Sequence, residues 1–335
     1  MKEALLYEKL EHKLVHCHLC GHQCRIADKK FGVCGVRENL DGTLYTHAYG
    51  KVIASHIDPI EKKPLYHFFP GSFSFSIATI GCNFHCGFCQ NWEISQSSFR
   101  DGDLGGEELT PQEIVEIAIK NKCKSISYTY TEPTIFFEYA LETAKLAKAK
   151  GLYNNFVTNG YMSEDALKVI KPYLDAANVD LKFFKDSSYR NICKGSLQPV
   201  LNSIRVMHKL GIWVEITTLV VPGENDSDEE LREIEEFIVS VDKNIPWHVS
   251  RFHPDYQFTD HKPTPEATLK KAQDIGNRCG LKFVYVGNVI GFGNDTYCPN
   301  CQKLLIKREY FSVLEYNIKQ NKCAFCNTVV PGIFI

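Results

Sequence analysis

The middle of the chain alternates two kinds of apolar pattern. Short runs rich in β-branched and aromatic residues, such as 74–80 and 124–131, have the length and composition of buried strands. Segments with apolar residues three and four positions apart, such as 110–121 and 133–151, predict amphipathic helices. The first of these helices opens with a Thr N-cap followed by Pro, which is a typical helix start.

The same alternation continues to residue 287. Further strands are predicted at 154–159, 176–183, 212–223, 246–252 and 282–287, and further helices at 163–171, 198–211, 227–240 and 265–276. Strands that alternate with helices predict a parallel sheet wrapped by helices. We therefore expect an α/β fold, a partial (β/α)6-type TIM barrel over residues 73–290. Polar motifs follow the predicted strands, and in a parallel barrel the ends of all strands open on one face, where these motifs should converge.

Two cysteine-rich segments flank the predicted barrel. Residues 1–72 are predicted to be an N-terminal metal-binding segment with a hairpin at 42–58. Residues 291–335 are predicted to be a zinc-ribbon-like module. The expected organisation is therefore a barrel with two small metal-binding additions.

Composition and charge restrict the class of protein. The chain has 335 residues, of which 44% are hydrophobic and 23% charged, as in ordinary globular proteins. The formal net charge of −2 gives no general attraction to nucleic acid or to an anionic membrane. Residues 1–17 are charged throughout and lack the apolar core of a signal peptide. We expect a cytoplasmic protein without a membrane span.

The fourteen cysteines change the picture, because disulfides are rare in a reducing compartment. Eleven of them fall into three groups, which predicts metal ligands. The groups are Cys17, Cys20, Cys24 and Cys34; Cys82, Cys86 and Cys89; and Cys298, Cys301, Cys323 and Cys326. Cys123, Cys193 and Cys279 stand alone and are predicted to be small buried apolar residues.

The central group offers three thiols where a saturated site takes four. Three thiolates on an iron–sulfur cluster leave one iron open to a small ligand. Cys82, Cys86 and Cys89 follow a predicted strand, and Phe88 is placed to shield the site from water. A zinc site completed by His85 or by a distant histidine is the alternative.

The spacing Cys-x3-Cys-x2-Cys with an aromatic residue before the last cysteine resembles the radical S-adenosylmethionine (SAM) superfamily. The resemblance implies a 4Fe-4S cluster, SAM as cofactor and a 5′-deoxyadenosyl radical. In that superfamily a "GGEP"-type motif holds the SAM methionine, and "TYTEP" (129–133) takes its place here, with both glycines replaced. The motifs "TNG", "DLK", "VVPG" and "FHP" are similar to those of pyruvate formate-lyase activating enzymes. Taken together, the resemblance assigns SAM contacts to Phe88, Tyr130, Thr131, Glu132, Thr158, Asn159, Asp180, Lys182 and His253.

The outer cysteine groups, together with "YTYTEPT", resemble a narrower family, the AmmeMemoRadiSam-system radical SAM enzymes. This resemblance implies association with Memo-like and AMMECR-like proteins. The spacing of the last group predicts a structural zinc site with four thiolates. The first group lacks the Cys-Pro ending of a ferredoxin run, so zinc is the first interpretation and a second iron–sulfur cluster the alternative.

We therefore expect an enzyme that cleaves SAM reductively with electrons from a low-potential donor of the ferredoxin or flavodoxin type. The acceptor is expected to be a small molecule or a partner protein and not free nucleic acid. Activation of a glycyl-radical enzyme and modification of a tRNA base are the alternatives for the acceptor. A non-enzymatic zinc- and nucleic-acid-binding module is the alternative for the whole chain.

Overall fold

The computed structural model describes residues 1–102, 105–289, 291 and 293–334. The strands are β1 Lys2–Glu3, β2 Tyr7–Lys9, β3 Val15–Cys17, β4 Arg25–Ile26, β5 Arg37–Leu40, β6 Thr43–Thr46, β7 Lys51–Val52, β8 Ala54–Pro59, β9 Phe73–Ala78, β10 Glu107–Glu108, β11 Ser125–Tyr128, β12 Tyr153–Thr158, β13 Ala176–Asp180, β14 Trp213–Val220, β15 Trp247–Arg251, β16 Val284–Gly287, β17 Thr296–Tyr297, β18 Leu304–Glu309, β19 Ser312–Tyr316, β20 Ile318–Lys319 and β21 Lys322–Cys323. The α-helices are α1 Trp92–Ser95, α2 Pro111–Lys120, α3 Phe137–Ala149, α4 Glu164–Ile170, α5 Asp186–Ser188, α6 Leu197–Lys209, α7 Asp228–Val241 and α8 Glu266–Cys279. Short 3-10 turns lie at Glu11–Lys13, Ile60–Lys62, Phe99–Asp101 and Pro133–Phe136, and a π-helical turn at Tyr189–Cys193.

An eight-stranded sheet forms the centre of the molecule. Its strand order is β16-β15-β14-β13-β12-β11-β9-β8. The strands β9 and β11 to β16 pair in parallel, each with the next one in the chain, and β8 pairs antiparallel with β9. Helices connect the successive parallel strands, so the predicted α/β fold with a parallel sheet is confirmed. Its closure into a partial (β/α)6 barrel stays a prediction.

Local sequence signals explain how the helices begin. Thr110 caps α2 through its side chain, and Glu113 bonds back to the Thr110 amide, which completes a capping box. Ser163 and Ser227 cap α4 and α7 in the same way, each accepting from a backbone amide in the first turn. These caps fix the residues at which α2, α4 and α7 begin, and therefore where the loops that precede these helices end.

The predicted hairpin at 42–58 is wrong. Residues 43–46 (β6) form a hairpin with residues 37–40 (β5), and β1 pairs with the other edge of β6. Residues 54–59 form β8 of the large sheet instead. The cause is a turn at Asp41 and Gly42, where both residues have positive φ (55° and 80°). The predicted N-terminal segment therefore contributes one strand to the central sheet.

The C-terminal residues pack directly on the sheet. Tyr66, Phe283 and Tyr285 share one apolar cluster with Cys298, Leu305 and other residues of β17 to β21. Fully buried Arg308 donates to the carbonyl of Tyr66 (2.8 Å), and its guanidinium lies 4.2 Å from the Tyr66 ring. The predicted boundary at 290/291 adjoins residues 290 and 292, which lie outside the described residues.

The isolated cysteines differ from one another. Cys123 and Cys193 are buried, as predicted, but Cys279 is exposed because it ends α8 at the surface. Among the described helices, none is both long enough and apolar enough to cross a membrane.

Candidate active site

The three central cysteines lie on the loop after β9 and line one cavity of about 860 Å³. Gly81 makes the path of this loop possible, with φ of +98°. A Cβ added at Gly81 would lie 2.7 Å from Val36 and 3.1 Å from the Cys34 carbonyl oxygen. The loop is therefore pressed against the N-terminal segment at the residue that precedes Cys82.

The thiols point towards hydrogen-bond donors. The backbone amide of Phe84 donates to Cys82 Sγ at 3.4 Å, and Asn159 Nδ2 donates to it at 3.8 Å. Cys89 Sγ lies 3.2 Å from Ser95 Oγ. Burial raises the pKa of Cys82 well above its ordinary value and also raises that of Cys89, so a bare thiolate at either of these two positions is unfavourable.

This donor set suits a cluster with an open position. Three thiols face one cavity, and the described lining residues include no fourth cysteine. The donors beside Cys82 and Cys89 would stabilise the negative charge that thiolate ligands bring. The residues present therefore fit a 4Fe-4S cluster with one iron free, as the sequence predicts.

Glu132 organises the loops after β11 and β12. Its buried carboxylate accepts from the Thr158 hydroxyl (2.7 Å), the Asn159 amide (2.8 Å) and the Thr134 amide (3.0 Å). Burial raises its pKa, although these donors oppose the shift. The carboxylate thus holds the "TYTEP" and "TNG" motifs together and leaves their backbone groups at the cavity.

Tyr130 adopts the left-handed conformation expected of a glycine, with φ of +63°. Its hydroxyl donates to Asp58, and Lys63 Nζ lies 4.3 Å from the centre of its ring. Thr131 donates to the carbonyl oxygen of Thr79 at 2.8 Å. The large side chain that replaces glycine is accommodated by β8 and the turn after it.

Asp180 and Lys182 lie at the end of β13. Lys182 Nζ donates to Asp180 Oδ2 at 2.7 Å and lies 5.8 Å from the centre of the Phe88 ring. Burial lowers the pKa of Lys182, but the charge and hydrogen bond of Asp180, together with the nearby thiols of Cys86 and Cys193, outweigh burial and raise the pKa well above the ordinary value. Phe88 is buried, whereas His253 is exposed at the rim of the cavity.

All twelve residues predicted for the central site therefore line this one cavity. The sequence reasoning missed a further set, which comes from the strand interiors, from the turn after β8 and from the C-terminal hairpin. It includes Lys62, Lys63, Asn178, Thr217, His248, Tyr310 and Phe311. Polar residues at alternate positions of otherwise apolar strands, such as Asn178 and His248, were the available signal.

The outer cysteine groups have different geometries. The sulfurs of Cys298, Cys301, Cys323 and Cys326 all lie within 4.8 Å of one another, with Cys298–Cys326 at 3.6 Å and Cys301–Cys323 at 3.8 Å. Cys17, Cys20, Cys24 and Cys34 line a second, separate pocket with Arg37. Within the described residues, no three of these four thiols form such a compact group.

Comparisons with known proteins identify related sequences and structures. The sequence model of the radical SAM superfamily matches residues 76–237. An uncharacterized protein of Methanocaldococcus jannaschii is 46% identical over 330 residues, which covers 97% of this chain and 98% of the relative. The pyruvate formate-lyase-activating enzyme of Clostridium pasteurianum is 22% identical, over 58% of this chain and 85% of the relative.

A solved structure shows the same fold. The crystal structure of Streptococcus suis SuiB bound to S-adenosylmethionine matches with a TM-score of 0.51 and 14% identity, over 70% of this chain and 56% of that chain. The family match also lies over the strands and loops that build the cavity. The chain belongs to the radical SAM superfamily, whose enzymes use a 4Fe-4S cluster and SAM.

Proposed function

We propose that this enzyme cleaves SAM reductively at a 4Fe-4S cluster held by Cys82, Cys86 and Cys89. The observation that carries the proposal is that these three thiols and the predicted SAM contacts line one cavity. When bound, the cluster supplies the electron that splits SAM into methionine and a 5′-deoxyadenosyl radical.

The chain's own residues divide the work of binding SAM. Lys182 is the cation for the methionine carboxylate, and Asp180 keeps it charged and in place. The backbone at Tyr130 and Thr131 faces the methionine end, since Glu132 fixes that turn through Thr134 and Asn159. Thr158 and His253 complete the proposed contacts.

Apolar rings keep water away from the cluster side of the cavity. Phe88 is buried against Phe183 and Phe258, with ring centres 5.9 Å and 5.7 Å apart. Exclusion of water protects a reactive radical from side reactions. The opposite side of the cavity, near His253 and the C-terminal hairpin, is where an acceptor would enter.

For the acceptor, we propose a partner protein or a small molecule. Relatives named as activating enzymes support a protein acceptor. The motifs of the outer cysteine groups support a place in the AmmeMemoRadiSam system, with Memo-like and AMMECR-like proteins as partners. Modification of a tRNA base, the chemistry of the wybutosine-synthesis relatives, is the alternative that the final prediction tests.

We further propose a structural zinc ion at Cys298, Cys301, Cys323 and Cys326. Tetrahedral zinc with Zn–S bonds of about 2.3 Å places its sulfurs about 3.8 Å apart. The observed separations of 3.6 and 3.8 Å support that geometry. We also propose the three-part organisation of residues 1–72, 73–290 and 291–335, with one cysteine group in each part. A reducing, cytoplasmic setting is proposed because all fourteen cysteines are free of disulfides.

The experiment replaces Cys82, Cys86 and Cys89 by Ala, one at a time, in anaerobically reconstituted full-length protein. Each variant should lose 5′-deoxyadenosine formation from SAM and dithionite, measured by mass spectrometry. Cys279→Ala is the matched control, because that thiol is exposed and remote from the cavity lining, and it should keep full activity. Release of 5′-deoxyadenosine by a variant lacking all three cysteines would overturn the proposal.

A further inference from the structure

The N-terminal thiols Cys17, Cys20, Cys24 and Cys34 surround one pocket beside the cavity. Cys17 ends β3, and the others lie on the turns that follow. Apolar side chains such as Leu19, Ile26 and Ile135 complete the walls of the pocket. Four thiols on one pocket provide the donor set of a metal site, but the residue type does not distinguish zinc from an iron–sulfur cluster.

The sulfur spacing separates the two metals. A single zinc ion draws its four sulfurs to about 3.8 Å from one another. In an iron–sulfur cluster the cysteine ligands bind different iron atoms, so the cysteine sulfurs lie farther apart than around one zinc ion. The C-terminal group has the compact spacing, whereas within the described residues neither the N-terminal group nor the Cys82–Cys89 group does. The N-terminal sulfurs, like the central ones, therefore lack the compact spacing that a single zinc ion imposes.

Arg37 provides a second, independent observation. This buried guanidinium lines the pocket, donates to Cys17 Sγ at 3.6 Å and forms an ion pair with buried Glu138. Its Nε is buried, and no described group accepts from it. An unpaired buried N–H on a residue that lines the pocket is a donor available to a bound cluster, and hydrogen bonds to cluster sulfurs tune the reduction potential.

The pocket adjoins the loop of the central cysteines. The Cys34 carbonyl oxygen lies only 3.1 Å from the position of a Cβ on Gly81, the residue before Cys82. His22 Nε2 lies 2.6 Å from the carbonyl oxygen of Asn83, the residue after it. The close approach of the Cys34 backbone to Gly81 and the contact of the His22 side chain with the Asn83 carbonyl therefore bring the segments that carry the two sets of thiols together.

We propose that Cys17, Cys20, Cys24 and Cys34 hold a second iron–sulfur cluster that relays electrons to the cluster at Cys82, Cys86 and Cys89. A donor of the ferredoxin or flavodoxin type transfers one electron to the N-terminal cluster, so the donor is oxidised and the cluster is reduced by one electron. That cluster is reoxidised when it passes the same electron to the central one. The relay step rests on the proposed function, whereas the identity of the N-terminal cluster does not.

The test uses a full-length variant in which Cys82, Cys86 and Cys89 are all replaced by Ala. After anaerobic reconstitution, iron, acid-labile sulfide and zinc are measured per chain. We expect iron and sulfide in roughly equal amounts, because both [2Fe–2S] and [4Fe–4S] clusters contain as many sulfides as irons. We also expect about one zinc per chain, bound by the four C-terminal thiolates. A protein with no iron, whether it holds two zinc ions or one, overturns the proposal.

Two further measurements assign and place the cluster. Adding Cys20→Ser and Cys24→Ser to the triple variant should remove the iron and keep the zinc, while adding Cys123→Ser should keep both. In the dithionite-reduced parent protein, electron paramagnetic resonance should show spin–spin broadening that the triple variant lacks. An unbroadened sum of two cluster signals would overturn the relay. Because iron is counted in a protein without the central thiols, failure here is distinct from failure of SAM cleavage.

Discussion

Lys182 and Asp180, two residues apart in the sequence, form an ion pair in which Lys182 Nζ lies 2.7 Å from Asp180 Oδ2. Both side chains line the cavity. Lys182 is largely buried and Asp180 is half-exposed, with 14% and 35% of their side chains accessible. Burial opposes protonation of Lys182, but Asp180 and the thiols of Cys86 and Cys193 together raise its pKa. A largely buried cation that lines the cavity is suited to a ligand carboxylate.

Lys182→Met should therefore weaken SAM binding. Charged hydrogen bonds contribute about 1.5–3 kcal/mol, which corresponds to about tenfold to a hundredfold in Kd. Iron content should not change, because Lys182 is not a ligand. Equilibrium binding of SAM to the oxidised protein measures the effect. Lys185→Met is the matched control, since Lys185 is exposed and pairs with Glu230 instead, and it should bind SAM normally. Unchanged affinity in Lys182→Met would remove this lysine from the site.

Zinc removal should destabilise the central sheet as well as the C-terminal module. Fully buried Arg308 of this module contacts Tyr66 and Glu61 on the segment after β8, and the Tyr66 amide in turn donates to Glu215 of β14. Replacing Cys301 and Cys326 by Ser should remove zinc and lower the free energy of unfolding by several kcal/mol, because zinc binding at four thiolates contributes on the order of 10 kcal/mol. Metal analysis and urea unfolding measure this. Loss of iron with zinc intact would show that the two metals had been exchanged.

Much of the site could be predicted because its motifs are local. The Cys82–Cys89 loop and the "TYTEP" and "TNG" motifs each follow a strand that has a clear apolar pattern. The contribution of β8 could not be predicted in this way, since Lys63 reaches the cavity only through an antiparallel pairing with β9. Sequence spacing also could not place Cys193, whose thiol lies against Cys86 and lowers the pKa of Cys86. Both relationships depend on packing between distant segments.

His67 should make the protein acid-sensitive. Burial lowers the pKa of His67 to about 4, from an ordinary value of 6.5. Below pH 6.5, His67 is protonated in the unfolded chain but stays neutral in the folded protein. The free energy of unfolding therefore falls as the pH falls towards 4. Between pH 7 and 5 the loss is about 2 kcal/mol. His67→Gln should be less stable at pH 7, since it loses contacts with Pro331 and Tyr285, but should lose less on acidification.

Urea unfolding at both pH values measures this difference. His208→Gln, at a partly exposed position, should keep the slope of the parent protein. An equally steep loss in His67→Gln would mean that another group controls the acid response.

The last prediction is that total tRNA binds weakly and is not modified. Binding through phosphates needs clustered Lys and Arg and depends steeply on salt. The charged side chains at the cavity are balanced instead, with three lysines, Lys62, Lys63 and Lys182, against Glu61, Glu132 and Asp180. The exposed Tyr310 and Phe311 of the C-terminal hairpin also line it, and such rings suit an apolar protein or small-molecule surface.

The measurement has two arms. In the first, binding to total tRNA at near-physiological salt should be weaker than about 1 μM, the tight end of non-specific nucleic-acid binding. In the second, anaerobic turnover with SAM, dithionite and either tRNA or candidate Memo-like and AMMECR-like proteins is followed by mass spectrometry of nucleosides and peptides. A submicromolar affinity that collapses with added salt, together with a modified nucleoside, would make tRNA the acceptor. A modified peptide or small molecule with unchanged nucleosides is the expected result, because a balanced and partly aromatic rim recognises shape and apolar surface more than phosphate charge.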